Sequence, residues 1–314
     1  MFRFHTDCYG WRTVACLLAI VFGLSGGKSN GWAAVAPTPA RDRKPDSERL
    51  DVSRYMAVVQ ARKIRGVFAN ASGLTFNPES RSLFVVINSP PRMVEMDLQG
   101  KVTRSIRLAG FEDTEGIVAL GQDRYGILDE RRRHLCVVQV KKKARSVKFS
   151  DLQQVKAGMR IPAKGGWYFL VDERPSSNLG LEGLTYDQKQ RRFFIVKEKN
   201  PRKFFQVSLG PAGNQSPTIQ EPWKAQLESL HLGDLSGVHF HEATQQLLII
   251  SHESRSVVQC ALDGRPLARL SLAAGSAGLS RNVPQAEGVT MDDQRTLYIV
   301  SEPNLLYVFK RPSP

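Results

Sequence analysis

The stretch Glu182-Gly183-Leu184-Thr185-Tyr186-Asp187-Gln188-Lys189-Gln190-Arg191-Arg192-Phe193-Phe194-Ile195-Val196 decides the fold. After its glycine, apolar and other side chains alternate, as they do along a strand with one covered face. A polar turn from Asp187 to Arg191 follows, and then the unbroken apolar run from Phe193 to Val196. Two runs of strand character around a turn read as a hairpin. Its opening recurs as Ser72-Gly73-Leu74-Thr75-Phe76, Glu115-Gly116-Ile117-Val118-Ala119, Ser236-Gly237-Val238-His239-Phe240 and Glu287-Gly288-Val289-Thr290-Met291. Comparable apolar runs follow at Leu83–Val86, Leu247–Ile250 and Leu297–Val300.

Working outward, Gly100, Gly210 and Gly264 each lie 27 residues beyond the motif glycine of their repeat. Gly100 and Gly264 sit in polar turns, and each turn leads into another alternating strand, ending at Leu108 or Leu272. A full repeat is therefore four strands, the unit of a β-propeller blade. The motif glycines at 73, 116, 183, 237 and 288 are spaced by 43, 67, 54 and 51 residues. The expected fold is all-β: a single propeller of four-stranded blades, with five blades read directly. A sixth could hide in the longest spacing, around Trp167 to Val171. The last repeat ends before a fourth strand can form, while Tyr55 to Ile64 reads as a strand without a blade. That segment is expected to supply the missing strand and close the ring, which removes an open sheet edge.

The propeller is thus expected over residues 55–314. Residues 1–36 differ from the rest: Arg3 and Arg12 precede an apolar stretch from Val14 to Leu24, and small residues lead to Ala34-Val35-Ala36. That order is a signal peptide cleaved after Ala36. The alternative is an uncleaved inner-membrane anchor, although a spanning helix needs about 20 apolar residues. Residues 37–54, rich in Pro, Arg and Asp, read as a flexible linker. Residues 141–166, with Lys141-Lys142-Lys143 and Gly165-Gly166, read as an enlarged connection.

A chain of 314 residues that is 41% hydrophobic can bury a sizeable core. Its net charge is +14, and loss of Arg3, Arg12, Lys28 and Asp7 with the first 36 residues would leave +12. A basic surface attracts anions. For an exported, periplasmic or membrane-anchored chain the natural anion is envelope lipid or another polyanion, not nucleic acid; general solubility is the simpler account. Lys141, Lys142, Lys143 and Arg145 could touch anionic headgroups, or form a solvated loop. Cys136 and Cys260 lie in apolar runs of different repeats and are expected as separate buried thiols. A monomer is expected.

The first strand of a propeller blade lines the central channel, so Ser72, Glu115, Glu182, Ser236 and Glu287 should face the axis near one mouth. Carboxylates converging there repel and are costly to desolvate, which a divalent cation resolves. Hard oxygen ligands without His or Cys suit Ca²⁺ more than Zn²⁺. Asp113 and Asp234 add oxygens two residues before the motif. A second layer, Asn88, Glu130, Glu198, Glu253 and Glu302, falls 14 to 16 residues after each motif glycine. The same recurrence would also arise if these residues cap turns. His239 and His241 share a strand face with His252 across the hairpin; lacking a third ligand nearby in sequence, they read as ordinary strand residues. No nucleophile elbow, P-loop or paired-Cys zinc spacing is present.

The residues Asn70-Ala71-Ser72-Gly73-Leu74-Thr75-Phe76-Asn77, Phe111-Glu112-Asp113-Thr114-Glu115-Gly116-Ile117 and Gly180-Leu181-Glu182-Gly183-Leu184 resemble the SdiA-regulated (YjiK/CarP-like) propeller family. The resemblance covers roughly residues 55–310 and implies an envelope-associated propeller with a calcium link, but no particular reaction. Phytase-like and gluconolactonase-like propellers share the Glu-Gly strand start. Ser72 and Ser236 depart from the Glu pattern and would leave the acidic ring incomplete. Three functions follow: a Ca²⁺-binding, calcium-homeostasis propeller of the envelope; a metal-dependent phosphoester or lactone hydrolase, with Glu130, Glu198 or Glu302 as base; or an interaction scaffold.

Overall fold

The second strand of each repeat is apolar at its centre because both of its faces are covered. Ser82–Ile87 is buried at every position, and Gln246–Ser251 at all but the first. A short unbroken apolar run is what such a doubly covered strand requires. The structure, a computed structural model, describes residues 49–156, 158–162, 164–172, 180–210 and 216–312. The expected signal peptide or anchor, and residues 37–48 of the expected linker, lie outside the described residues.

The described residues form five sheets, each a blade. A first strand, β1 (Met56–Lys63), precedes blade 1, which is built from β2 (Ala71–Asn77), β3 (Ser82–Ile87), β4 (Arg92–Met96) and β5 (Val102–Ala109). Blade 2 begins with β6 (Thr114–Gly121), β7 (Arg124–Asp129) and β8 (His134–Gln139). The long spacing then inserts β9 (Ser146–Lys148) and β10 (Leu152–Val155) before β11 (Gly166–Leu170). Blade 3 is β12 (Leu181–Asp187), β13 (Arg192–Lys197), β14 (Lys203–Ser208) and β15 (Thr218–Gln220). Blade 4 is β16 (Gly237–His241), β17 (Gln246–Ser251), β18 (Ser256–Ala261) and β19 (Pro266–Ser271). Blade 5 joins β20 (Gln285–Met291), β21 (Leu297–Glu302) and β22 (Leu305–Lys310) to β1. The first strand does close the ring: β1 runs antiparallel to β22, pairing Met56 with Lys310 and Lys63 with Leu305.

Three expectations need correction. No sixth blade forms around Trp167, because β11 pairs antiparallel with β8 and is the fourth strand of blade 2. The connection 141–166 is not merely enlarged. Its β9 adds in parallel to the outer edge of β5, and its β10 adds in parallel to β11, so blades 1 and 2 carry five strands. Finally, the last residues of the expected linker belong to the fold. Leu50 and Val52 are buried, and Asp51 accepts a hydrogen bond from Ser53 N to start a short 3-10 turn over Val52–Arg54. Gln259 on β18 locks this segment down, accepting from Val52 N at 3.0 Å and donating to Leu50 O at 2.8 Å.

The motif glycines explain themselves at the axis. A Cβ at Gly73 would lie 2.3 Å from the Glu115 backbone oxygen, at Gly183 2.7 Å from Gly237 Cα, at Gly237 2.5 Å from Glu287 O, and at Gly288 2.5 Å from Ser72 O. At Gly116 the nearest atoms are Leu128 Cδ1 at 2.7 Å and Leu184 Cβ at 2.8 Å. The inner strands converge too closely for side chains there. Two residues on, threonines fasten neighbouring blades. Thr75 Oγ1 accepts from Ala119 N (3.2 Å), Thr185 Oγ1 from Phe240 N (2.9 Å) and Thr290 Oγ1 from Phe76 N (3.1 Å). Cys136 and Cys260 are buried free thiols. Among the described residues, no helix is long and apolar enough to cross a membrane.

Candidate metal centre

The glycine neck divides the channel into two mouths of different chemistry. On the side where the inner strands begin lies a cavity of about 350 Å³. Seven carboxylates line it: Asp113, Glu115, Glu130, Glu182, Glu198, Glu287 and Glu302. The inner strands β6, β12 and β20 present Glu115, Glu182 and Glu287 just before their glycines. The turns after β7, β13 and the end of β21 return Glu130, Glu198 and Glu302 to the same mouth, because each hairpin brings its second strand back. Asn88, after β3, completes the second layer in this cavity.

The closest grouping is Asp113, Glu115 and Glu130, each of which offers a carboxylate oxygen within 4.8 Å of the others. Their partners are few. Glu115 Oε1 accepts from Asn88 Nδ2 at 3.0 Å, Asp113 Oδ2 meets Arg131 Nε at 3.0 Å, and Glu130 Oε1 accepts from Gly180 N at 2.6 Å. Burial pushes the Glu115 carboxyl up to about 8, and nearby Glu130 and Asp113 add to the rise against hydrogen bonds from Asn88 and Ser72. Burial likewise pushes Glu130 and Glu287 up to about 7. Glu182 is raised well above the usual carboxylate range by burial and then by Glu115, Glu130, Glu287 and Glu198. Such a site holds protons at neutral pH unless a cation replaces them.

The donor set fits Ca²⁺. It offers several carboxylates and an amide oxygen, the hard, multi-oxygen set that ion takes. Asn88 Oδ1 is buried with no hydrogen-bond partner, although its amide nitrogen is engaged. Turn capping, the competing account, falls mainly to other carboxylates. Asp129 accepts from Glu112 N and Arg132 N, and Asp187 from Gln190 N. Among the described residues no backbone N–H donates to Glu115, Glu182 or Glu287. Glu130 serves both accounts, lining the cavity and capping Gly180.

Two residues expected at this centre are held elsewhere. Asp234 does not line the cavity. It is buried, with Oδ1 accepting from Ser251 Oγ and from Glu253 N (3.2 Å), and Oδ2 lies 2.7 Å from His252 Nδ1. Burial would raise its pKa, but the His252 and Ser251 hydrogen bonds outweigh this and hold it low. Glu253 also lies outside the cavity, paired at 2.8 Å with Lys199, which in turn sits 3.1 Å from Glu198. Sequence spacing fixes which end of a blade a turn residue reaches, but not the direction of its side chain.

His252, Gln285 and Arg131 line the cavity and were not expected there. His252 stands 15 residues after Gly237, in the register of the acidic layer, but its basic side chain hides it from a search for oxygen ligands. Its hydrogen bond to Asp234 raises its pKa, and it lies 3.8 Å from Glu287. The expected grouping of His252 with His239 and His241 does not occur. In the β16–β17 hairpin Gly237 faces Ile250 and His241 faces Gln246, so His252 lies at the opposite end from His241. His239 and His241 line the other mouth, a cavity of about 600 Å³.

A family model described as SdiA-regulated matches residues 47–310. The chain belongs to the SdiA-regulated family. Among solved structures it is similar to a luciferin-regenerating enzyme, at 12% identity and TM-score 0.49 over 81% of this chain and 95% of that one. It is similar also to a gluconolactonase from Xanthomonas campestris, at 12% identity and TM-score 0.45, covering 80% and 89% of the two chains. A third is the calcium-binding protein regucalcin from Agrobacterium tumefaciens, at 11% identity and TM-score 0.46, covering 80% and 93%. None of the three is similar enough to lend this chain its activity. In this SdiA-regulated protein the motif carboxylate gives way to serine in blades 1 and 4. Ser72 still lines the acidic cavity, whereas Ser236 Oγ turns to donate to Ala286 O at 2.8 Å.

Proposed function

We propose that the protein binds Ca²⁺ in the acidic mouth and acts in the cell envelope as a calcium-binding, calcium-homeostasis propeller, by binding rather than by turnover. The observation that carries this reading is the cavity itself: seven carboxylates, three of them with oxygens within 4.8 Å, beside a buried amide oxygen that has no other partner. Asp113, Glu115, Glu130 and Asn88 would hold the ion, with Glu182 facing it. The ion would supply the charge that lets these groups ionise together. Export is supported by the order of charged, apolar and small residues up to Ala36. N-terminal sequencing of protein recovered from the envelope should begin after Ala36; retention of residues 1–36 in the membrane fraction would indicate the anchor instead.

The central test is thermal melting of metal-stripped protein with and without Ca²⁺, on wild type and Glu115→Gln/Glu182→Gln. A ligand held only by the native state stabilises it by about 2.7 kcal/mol at 100 times its Kd. Wild type is expected to melt several degrees higher with Ca²⁺, and the double variant to lose the response. No shift in either protein sinks the metal reading. A hydrolase reading is kept because His252 lines the cavity with its Nδ1 held by buried Asp234. A screen of phosphoesters and lactones with the Ca²⁺-loaded protein decides that point.

A further inference from the structure

The mouth opposite the acidic one is a cavity of about 600 Å³, walled by the second halves of all five inner strands. Small-molecule sites typically enclose about 300–1,000 Å³. Three residues past the motif glycines, Phe76, Tyr186, Phe240 and Met291 stand in this wall, and blade 2 places only Ala119 there. The space at the neck between the two mouths is about 10 Å³, room for one water. Whatever occupies one mouth therefore stays out of the other.

The charges around this cavity are already matched. Lys189 Nζ lies 3.8 Å from Glu242 Oε1, joining the turns of blades 3 and 4. Arg81 Nη1 donates to Asp293 Oδ2 at 2.6 Å, joining blades 1 and 5. Asp292 accepts from Gln294 N (2.9 Å), Thr296 N (2.7 Å) and Tyr298 hydroxyl (3.0 Å). Arg295 is likewise engaged. The polar groups left for a ligand are neutral. Tyr186 hydroxyl makes no hydrogen bond among the described residues. His241 Nδ1 lies 2.8 Å from Thr244 Oγ1 and His239 Nδ1 3.5 Å from Thr290 Oγ1, while Nε2 of each ring has no hydrogen bond among the described residues. His239 is deeply enclosed by protein yet keeps accessible surface, because the cavity reaches it. Burial holds both imidazoles neutral, with pKa values of about 3 for His239 and about 4 for His241.

We propose that this mouth binds an uncharged aromatic molecule carrying a hydroxyl, of which a phenol is the simplest case. The rings of Phe76, Tyr186 and Phe240 in its wall offer surfaces against which a planar ring packs. A neutral imidazole nitrogen can accept the ligand's O–H, and the Tyr186 hydroxyl can donate to its oxygen. A charged ligand is disfavoured: among apolar walls an ion needs a counter-charge, and the charges here are matched to one another. A plain hydrocarbon is disfavoured in turn, since it would cover Tyr186 and His239 and leave their polar atoms without partners. The site shares no lining residue with the acidic mouth and does not depend on a metal there.

The test is fluorescence titration of the full chain with 2-naphthol, uncharged at neutral pH, and with naphthalene-2-carboxylate as its charged counterpart. 2-Naphthol is expected to bind saturably, about tenfold or more tighter than the carboxylate. Tyr186→Phe deletes an oxygen that has no protein partner. It is expected to keep the melting temperature and to weaken 2-naphthol binding about three- to tenfold, the worth of one neutral hydrogen bond. Ala119→Phe fills the open side of the wall and is expected to abolish binding. Should Ala119→Phe fail to melt cooperatively, Tyr186→Phe decides. The affinity is expected to be the same in EDTA and in Ca²⁺, because the neck separates the mouths. A Ca²⁺-dependent affinity would move the probe to the acidic mouth and overturn the site. No saturable binding of 2-naphthol, equal affinity for the carboxylate, or equal binding by wild type and Tyr186→Phe overturns it as well.

Discussion

Gly183 shows how a single residue type can hold a ring together. A Cβ there would lie only 2.7 Å from Gly237 Cα, so its absence is what lets β12 pass so close to the next inner strand. Gly183→Ala is expected to destabilise the protein by about 1–3 kcal/mol through overpacking, read as a lowered urea midpoint. His239 and His241 act at the same scale. Burial lowers their pKa values to about 3 and about 4, from an ordinary 6.5. The unfolded chain therefore takes up protons below pH 6.5 while the folded chain does not, and the stability tied to neutral imidazoles is lost as pH falls from there. His239→Gln should flatten the acid limb of a stability–pH curve; an unchanged limb would remove His239 as its cause.

Strands and their fastenings obey a second set of rules. Thr185 on β12 takes the Phe240 N–H of the next blade at 2.9 Å. Thr185→Val keeps the shape and leaves that buried N–H without its acceptor, a cost of about 1–3 kcal/mol in denaturant unfolding. Removal of residues 49–63 should bare the edge of β22 and turn the protein towards aggregates on size exclusion, since an unpaired edge templates further pairing. The closing strand was legible in the sequence because the last repeat stops one strand short. The glycine register and the unbroken apolar runs likewise disclosed each hairpin. The added edge strands β9 and β10 were not legible: strands of three and four residues are too short to show a period. Much of the acidic centre was readable from its spacing, because two hairpin ends share one mouth. Asp234 and Glu253 misled because Ser251, His252 and Lys199, partners distant from the motif, pull their side chains away.

The molecule gathers seven carboxylates at one mouth, so its response to protons and to metal must be coupled. Metal-free, Glu115 titrates near 8 and Glu130 and Glu287 near 7, above their ordinary 4.5. A raised folded pKa means that the native state holds protons the unfolded chain releases, so stability in EDTA should increase as pH drops from 8 to 6.5, before the histidines intervene. The Ca²⁺-induced rise in melting temperature should shrink over the same interval, because protons compete for the same oxygens. A Ca²⁺ response independent of pH would place the ion away from these carboxylates. The pairing of β1 with β22 has a further consequence, for synthesis. Residues 56–63 are the first of the propeller's strands to leave the ribosome, yet their partners at 305–310 are the last. At about 5–20 residues per second, β1 waits on the order of 12 to 50 seconds for its neighbour. For that time blade 5 is incomplete, and the nascent chain stays unlocked until β22 appears.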